Sequence, residues 1–248
     1  MKKPIIMFWD IETSLMITTT YTLYPERIPH EGILQDWFII SGCWKKSDEK
    51  KVHSISINNF EQKSPDDDYQ VVKALREALE GVDILVHHNG DKFDLKKLTA
   101  RLIFHGLPPL PKIQTIDTLK EVKKVAGFTS NRLDYLGHHL LGYGKTHTTP
   151  QLWMRALRGD RDAVTEMVKY NKKDVVLLEA IYQKIRPYIK NHPHIGAYQD
   201  KDKNCSCRAC GSLELKRNGI RLTAGGLKRQ EYQCKNCGSY SSFTIPKE

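Results

Sequence analysis

Two acidic residues two positions apart stand out in the N-terminal segment PIIMFWDIET, which is otherwise mostly apolar. The apolar run predicts a buried strand, on which Asp10 and Glu12 share one face while Met7, Trp9 and Ile11 cover the other. Carboxylates on such a strand are costly to bury unless a cation neutralises them. The pair therefore suggests a divalent-metal site, and the alternative is a strand end at which both side chains reach solvent.

A third carboxylate lies on the apolar face of a predicted long helix over residues 160–186. Asp174 falls on the 3.6-residue stripe that includes Met167 and Leu178, where a carboxylate needs a partner. Tyr170 precedes it by one turn, so its hydroxyl could orient a water molecule beside Asp174. The alternative is a Tyr–Asp hydrogen bond that closes the edge of the core.

Asp94 follows an Asn89-Gly90 turn and lies in the first turn of a predicted helix, where the helix dipole alone would favour an acid. Four carboxylates suit a pair of Mg²⁺ or Mn²⁺ ions, because hard cations prefer oxygen ligands. In a two-metal site one ion activates the attacking water and the other stabilises the leaving oxygen. The combination suggests hydrolysis of phosphodiester bonds.

Five of the six cysteines crowd into residues 205–237. Two C-x-x-C-G motifs, separated by 23 residues, have the spacing of a zinc ribbon that binds one Zn²⁺ through thiolates. The matched motifs favour Cys207, Cys210, Cys234 and Cys237 as the ligands. Cys205 is spare and competes with Cys207, whereas Cys43 lies alone in an apolar segment and is predicted to be a buried core residue.

The acidic motifs together resemble those of the DEDD exonuclease superfamily, in its tyrosine-containing branch. FWDIET is similar to the first motif of that family, HNGDKFD to the second and YNKKD to the third, and the resemblance covers residues 4–186. The stretch LDYLGHHLLGYGK, followed after a Trp-containing spacer by YNKKDVVLL, also resembles the proofreading domain of family-B DNA polymerases.

The resemblance implies a ribonuclease-H-like fold and 3′→5′ exonuclease activity that releases nucleoside monophosphates. It implies Asp10, Glu12, Asp94 and Asp174 as ligands of two Mg²⁺ or Mn²⁺ ions, and Tyr170 as the residue that orients the water. No polymerase palm or fingers would fit in the remaining chain, so a stand-alone nuclease is expected. The alternatives are a non-cleaving nucleic-acid-binding or recruitment protein on the same fold, and a structure-selective endonuclease.

Positive charge also points to nucleic acid as the partner. The formal net charge is +10, and residues 199–248 carry 10 Lys and Arg against 5 Asp and Glu. Basic charge favours a polyanion through counterion release, although a solvated surface is the alternative. We expect single-stranded DNA or 3′ ends as the substrate, with RNA as a second option, and replication or repair proteins as candidate partners. Candidates for nucleic-acid contacts are Asn89, Lys145, Arg208, Lys216, Arg217, Arg221, Lys228 and Arg229.

Hydrophobic periodicity predicts an α/β fold: a mixed five-stranded sheet flanked by helices, followed by the small zinc ribbon. The strands are expected at 4–12, 36–45, 51–58, 83–88 and 113–117. The predicted domains are an exonuclease domain over 1–189, a linker over 190–204 and the ribbon over 205–248. No apolar run has the length of a membrane span and no signal-peptide pattern follows Met1, so we expect no membrane association. The compact, lysine-rich chain suits the cytoplasm of a bacterium or of a phage-infected cell.

Overall fold

The computed structural model describes residues 3–146, 148–199 and 206–244. Cys205, residues 200–204 of the predicted linker and residues 245–248 of the predicted ribbon lie outside this part of the chain. The strands of the N-terminal domain are β1 (Ile6–Thr13), β2 (Ile17–Thr18), β3 (Ile33–Gln35), β4 (Ile39–Lys46), β5 (His53–Ser56), β6 (Ile84–His87) and β7 (Gln114–Asp117).

Five of these strands form one mixed sheet in the order β5-β4-β1-β6-β7. β4 runs antiparallel to both β1 and β5, whereas β1, β6 and β7 are parallel. The predicted mixed five-stranded sheet is thereby confirmed. β2 and β3 form a separate two-stranded hairpin in the segment between β1 and β4, which the sequence analysis left without an assignment.

Helices cover both faces of the sheet. They are α1 (Tyr69–Ala78), α2 (Asp94–Phe104), α3 (Thr118–Val125), α4 (Leu133–Leu141), α5 (Pro150–Leu157), α6 (Arg161–Ile185) and α7 (Ile195–Tyr198). β1 contributes Met7, Trp9 and Ile11 to the core on one face. Phe8 joins the core on the opposite face, where α4 and α6 pack, so the alternation predicted for β1 is confirmed. None of the described helices is both long and apolar enough to cross a membrane.

The long helix α6 runs antiparallel to β1. Asn171 contacts Asp10 near the end of β1, and Tyr182 contacts Phe8 nearer its start. The Asp160 side chain caps the helix by accepting from the backbone N–H groups of Asp162 and Ala163. A short 3₁₀ turn that contains Pro187 follows Ile185.

The ribbon contains β8 (Leu215–Leu222), β9 (Lys228–Cys234) and β10 (Tyr240–Thr244), which form an antiparallel sheet in the order β10-β9-β8. Part of the segment predicted as a linker connects it firmly to the core. The short helix α7 packs Ile195 and Tyr198 against the α6 side of the core. The backbone N–H of Ile195 donates to the carbonyl of Arg208 at 2.9 Å. The predicted linker therefore contains a helix and buried contacts where aperiodic structure was expected.

Candidate active site

β1 presents two carboxylates to α6 at the carboxyl end of the strand. Asp10 and Glu12 are half-buried on the same face, as their spacing predicts. The neighbouring strand β4 places Cys43 directly opposite Asp10, and this thiol is fully buried, as predicted for a core residue. Because the strand and its neighbour are fixed by ladder hydrogen bonds, the positions of both carboxylates are set by the sheet.

α6 brings a third carboxylate to the same point. Asp174 is only 1% exposed, and it forms a cluster with Asp10 and Glu12 in which the nearest carboxylate oxygens all lie within 4.8 Å of one another. The helix stripe thus places Asp174 as predicted. The cluster places one buried carboxylate against two half-buried ones.

Asp94 approaches from the first turn of α2. It is 3% exposed, and its Oδ1 accepts a hydrogen bond of 3.0 Å from the backbone N–H of Ile11. It stands outside the group of three that lies within 4.8 Å, although its charge acts on Asp10. The turn before it depends on Asn89, whose φ of 68° lies in the left-handed region that Asn tolerates. The Asn89 backbone N–H donates to Asp117 Oδ1. In the structure Asn89 therefore holds the turn.

Lys145, which was predicted to contact nucleic acid, provides a cation at this centre. Its Nζ donates to Asp174 Oδ2 at 2.6 Å and to the Tyr170 hydroxyl at 3.1 Å. The loop that carries it is anchored because the Lys145 backbone N–H donates to Asp134 Oδ1 at 2.7 Å. Lys145 therefore lies against both Asp174 and Tyr170 at the edge of the cluster.

The environment changes the proton affinity of every acid in the cluster. Burial, followed by repulsion from Asp94 and Glu12, raises the pKa of Asp10 well above its usual range. Burial is also the main cause that raises the pKa of Glu12 to about 7 and that of Asp94 to about 6. The same acids need a counter-charge to be fully ionised near neutral pH.

Lys145 and Tyr170 both retain their protons near neutral pH. Burial alone would lower the pKa of Lys145, but Asp174 and Asp10 outweigh it and raise that pKa above its ordinary value. Burial, with the nearby Asp174 carboxylate, raises the pKa of Tyr170 to about 12. The centre thus contains an ammonium group and a neutral hydroxyl beside the carboxylates.

The donor set fits divalent cations. Carboxylate oxygens are the ligands that Mg²⁺ and Mn²⁺ prefer. Asp174 Oδ1 is buried and has no hydrogen-bond partner among the described residues, so one acceptor of the cluster is left for a cation. Asp10, Glu12 and Asp174 lie close enough to hold one divalent ion between them, and Asp94 lies near enough to Asp10 to raise its pKa.

The four paired cysteines lie close enough together to hold one metal ion. One sulfur atom each from Cys207, Cys210, Cys234 and Cys237 lies within 4.8 Å of all the others, and two of these pairs are 3.6 Å apart. A Zn–S bond of about 2.3 Å places tetrahedral sulfur atoms roughly 3.8 Å apart, which is close to the two separations of 3.6 Å. The four cysteines are free of disulfides.

The glycine of each C-x-x-C-G motif turns the chain beneath the sulfur atoms. Gly211 and Gly238 have φ values of 69° and 78°, in the left-handed region that favours glycine. Their backbone N–H groups donate to the carbonyls of Cys207 and Cys234, respectively. The two motifs therefore form equivalent knuckles, and the four residues fit one Zn²⁺ ion.

The basic residues of the ribbon lie away from the acidic centre. α6 extends eleven residues from Asp174 to Ile185, about 16 Å along its axis, and the ribbon contacts the chain just beyond that end. The structure does not bring these side chains to the carboxylates. The set predicted for nucleic-acid contact is exposed except for the half-buried Arg229, and it comprises Arg208, Lys216, Arg217, Arg221, Lys228 and Arg229.

One polar residue at the centre was not predicted to belong to the site. Asn171 is fully buried, and its side-chain amide donates to Asp10 Oδ2 at 2.9 Å. The signal was present, because an amide on the core-facing stripe of α6 needs a buried partner as much as Asp174 does. The structure assigns it the positioning of the Asp10 carboxylate.

Comparisons with known proteins agree with this fold. A solved structure of the family B DNA polymerase from the hyperthermophilic archaeon Pyrobaculum calidifontis matches with a TM-score of 0.53 and 16% sequence identity. The match covers 75% of this chain but 25% of the polymerase, so this chain corresponds to a minor part of that protein. At that identity the likeness concerns the fold. No curated protein sequence matches the chain.

The family model of the RNase H superfamily matches residues 31–186, which include Asp94, Tyr170 and Asp174. β1, with Asp10 and Glu12, precedes the matched residues and joins them through the central sheet. The match covers more than half of the 248 residues. The chain therefore belongs to the RNase H superfamily.

Proposed function

We propose that the protein is a metal-dependent 3′→5′ exonuclease that hydrolyses phosphodiester bonds, with DNA as the favoured substrate. The observation that carries the proposal is the convergence of Asp10, Glu12 and Asp174 within 4.8 Å beside Lys145 and Tyr170. A purely structural cluster gains nothing from one buried and two half-buried carboxylates whose charges repel, because each loses solvation as well. Divalent cations would supply the missing positive charge, and a phosphodiester would be the group that reacts.

Each residue has a role that follows from its place. Asp10, Glu12, Asp94 and Asp174 would hold two Mg²⁺ or Mn²⁺ ions, which supply activation of the attacking water and stabilisation of the leaving oxygen. The Tyr170 hydroxyl positions the water next to Asp174. The Lys145 ammonium stabilises negative charge that develops on the phosphate.

A cavity beside the centre is suited to the terminal nucleotide. It has a volume of about 360 Å³ and is lined by Leu15, Trp153 and residues 148–150. The Trp153 ring makes an edge contact with the Tyr170 ring, with centroids 6.3 Å apart. A base stacked in this cavity would place its phosphate near Tyr170. The basic zinc ribbon would add phosphate contacts farther along the strand.

Digestion of a linear 5′-labelled single-stranded DNA with Mg²⁺ or Mn²⁺ tests the proposal. We expect products that shorten one nucleotide at a time and free nucleoside monophosphates, with slower digestion of an RNA of the same sequence. A circular single strand is the control, since it has no 3′ end. Cutting of the circle at a comparable rate would show an endonuclease instead, and binding without metal-dependent cleavage would show a recruitment protein.

A further inference from the structure

A groove of about 450 Å³ lies where the ribbon meets the end of the core. We call it the junction groove. Its core wall includes Tyr188 and Lys190, and its ribbon wall includes Arg208, Arg221, Arg229 and Tyr240. Four of these six residues are cationic, and both tyrosines are more than half exposed. The groove thus combines positive charge with accessible aromatic faces.

Two positively charged side chains of the junction groove face each other on neighbouring strands. Arg221 and Arg229 are direct partners across β8 and β9, a position where like charges destabilise a sheet. Neither arginine forms an ion pair within the described residues. Glu231 also lines the groove, but its carboxylate accepts a hydrogen bond from Asn218. An anion between the two arginines would turn this repulsion into attraction.

The tyrosines distinguish a nucleic-acid strand from a simple anion. Tyr188 is 68% exposed and Tyr240 is 55% exposed, so their rings are free to stack on bases. A strand offers phosphates and bases in alternation, and sites that bind single strands combine a basic groove with aromatic stacking. An acidic peptide would match the arginines and leave the two rings without a partner.

The two walls of the groove are held together. The Arg208 guanidinium donates to the Lys190 carbonyl at 3.4 Å, and the Arg208 backbone N–H donates to Ser241 Oγ at 3.4 Å. The hydrogen bond between Ile195 and Arg208 ties the same part of the ribbon to α7. Lys190 and Ile195 belong to the segment predicted as a linker, whereas the bond to Ser241 fixes Arg208 within the ribbon. The groove therefore has a defined shape before any strand binds.

We propose that the junction groove binds the single-stranded substrate several nucleotides upstream of the bond that is cut. This inference rests on the proposed function, because it takes the 3′ end to lie at the acidic centre. α6 extends about 16 Å from Asp174 to Ile185, and the groove lining begins at Pro187, so the span corresponds to roughly five stacked nucleotides at about 3.4 Å each. Short DNA strands bind at the acidic centre alone, whereas longer strands also bind in the junction groove.

Binding of fluorescent oligothymidylates of about 4 and about 16 nucleotides tests this, in the full chain with Asp10→Asn to prevent digestion. No chelator is used, so the zinc remains in place. The groove variant is Arg221→Gln with Arg229→Gln. The control variant is Arg217→Gln with Lys228→Gln, which removes the same charge from exposed ribbon positions that do not line the groove. Zinc content and circular dichroism establish that both variants are folded.

We expect the groove variant to lose about tenfold or more in affinity for the long strand and less than about twofold for the short one, with a salt slope lower by about 1.4 units for two lost phosphates. The control variant should lose clearly less affinity for the long strand. Equal losses in the two variants, equal losses on both lengths, or no loss at all would overturn the proposal, and the last result would leave the groove to a protein partner. Length-dependent binding through the groove without nuclease activity in the wild type would instead refute the proposed function alone.

Discussion

Glu12→Gln should stabilise the protein in the absence of added divalent cations while it abolishes cleavage. The reason is the raised pKa of this carboxyl, about 7 in the folded protein against an ordinary value of 4.5. An acid with a raised folded pKa binds protons more tightly in the folded than in the unfolded state. The wild type therefore loses stability as pH rises from about 4.5 to about 7, and the loss is complete above that range.

The size of the effect follows from the shift. A displacement of about 2.5 pKa units corresponds to roughly 3 kcal/mol in the free energy of unfolding. Gln has nearly the same shape and no charge, so the variant should be more stable than the wild type by roughly this amount at pH 8. Near pH 4.5 the two proteins should be about equally stable, because Glu12 is then protonated in the folded wild type.

Urea unfolding at both pH values measures the difference. Comparison of the variants at each pH cancels any effect of pH on the cysteine ligands. Glu77→Gln, at an exposed position on α1, is the matched control and should leave stability unchanged. Saturating Mg²⁺ should reduce the advantage of Glu12→Gln, since the ion stabilises the protein that binds it more tightly. A wild type that is as stable as Glu12→Gln at pH 8 without added metal would refute the electrostatic reasoning.

Three further changes test other parts of the site. Tyr170→Phe should lower the single-turnover cleavage rate by about 10- to 100-fold with little change in affinity, and a loss of affinity alone would make Tyr170 a binding residue. Lys145→Met should lower kcat/KM by about 10²- to 10³-fold, and an unchanged value would remove Lys145 from the mechanism. Deletion of residues 199–248, or Cys207→Ser, should leave a folded core whose affinity for single-stranded DNA depends less steeply on salt concentration. The slope should fall by about 0.7 unit per lost phosphate contact. An unchanged salt slope would show that the ribbon does not contact the strand.

The parts of the fold that follow local periodicity could be predicted from the sequence. Alternation on β1 predicts that Asp10 and Glu12 share a face, and the helical stripe predicts that Asp174 points inward, because each depends on one element's geometry. The convergence of these elements depends on how distant segments pack. That step came from the resemblance to a known family, and local patterns alone left an ordinary strand end and a Tyr–Asp bond as alternatives.

The features that escaped prediction depend on tertiary contacts. Lys145 lies in a loop, and its position beside Asp174 results from the anchoring of that loop by Asp134. Helix α7 is too short to show periodicity, and it forms in the predicted linker because Ile195 and Tyr198 find partners on the core. The Tyr182 hydroxyl donates to the buried His192, which supports the same segment and which burial keeps neutral by lowering its pKa to about 4.

The central claim is that the carboxylates of the acidic centre hold catalytic cations. The most direct test is release of nucleoside monophosphates from single-stranded DNA over a titration of Mg²⁺ or Mn²⁺, compared between Asp174→Asn and Asp162→Asn. Both variants make the same substitution on α6, but Asp162 is exposed in its first turn whereas Asp174 is buried in the cluster. We predict metal-dependent release by the wild type and by Asp162→Asn, and a loss of at least about 10³-fold in Asp174→Asn, equivalent to roughly 4 kcal/mol of transition-state stabilisation. Wild-type release by folded Asp174→Asn, or release that is independent of divalent cations, would contradict the account.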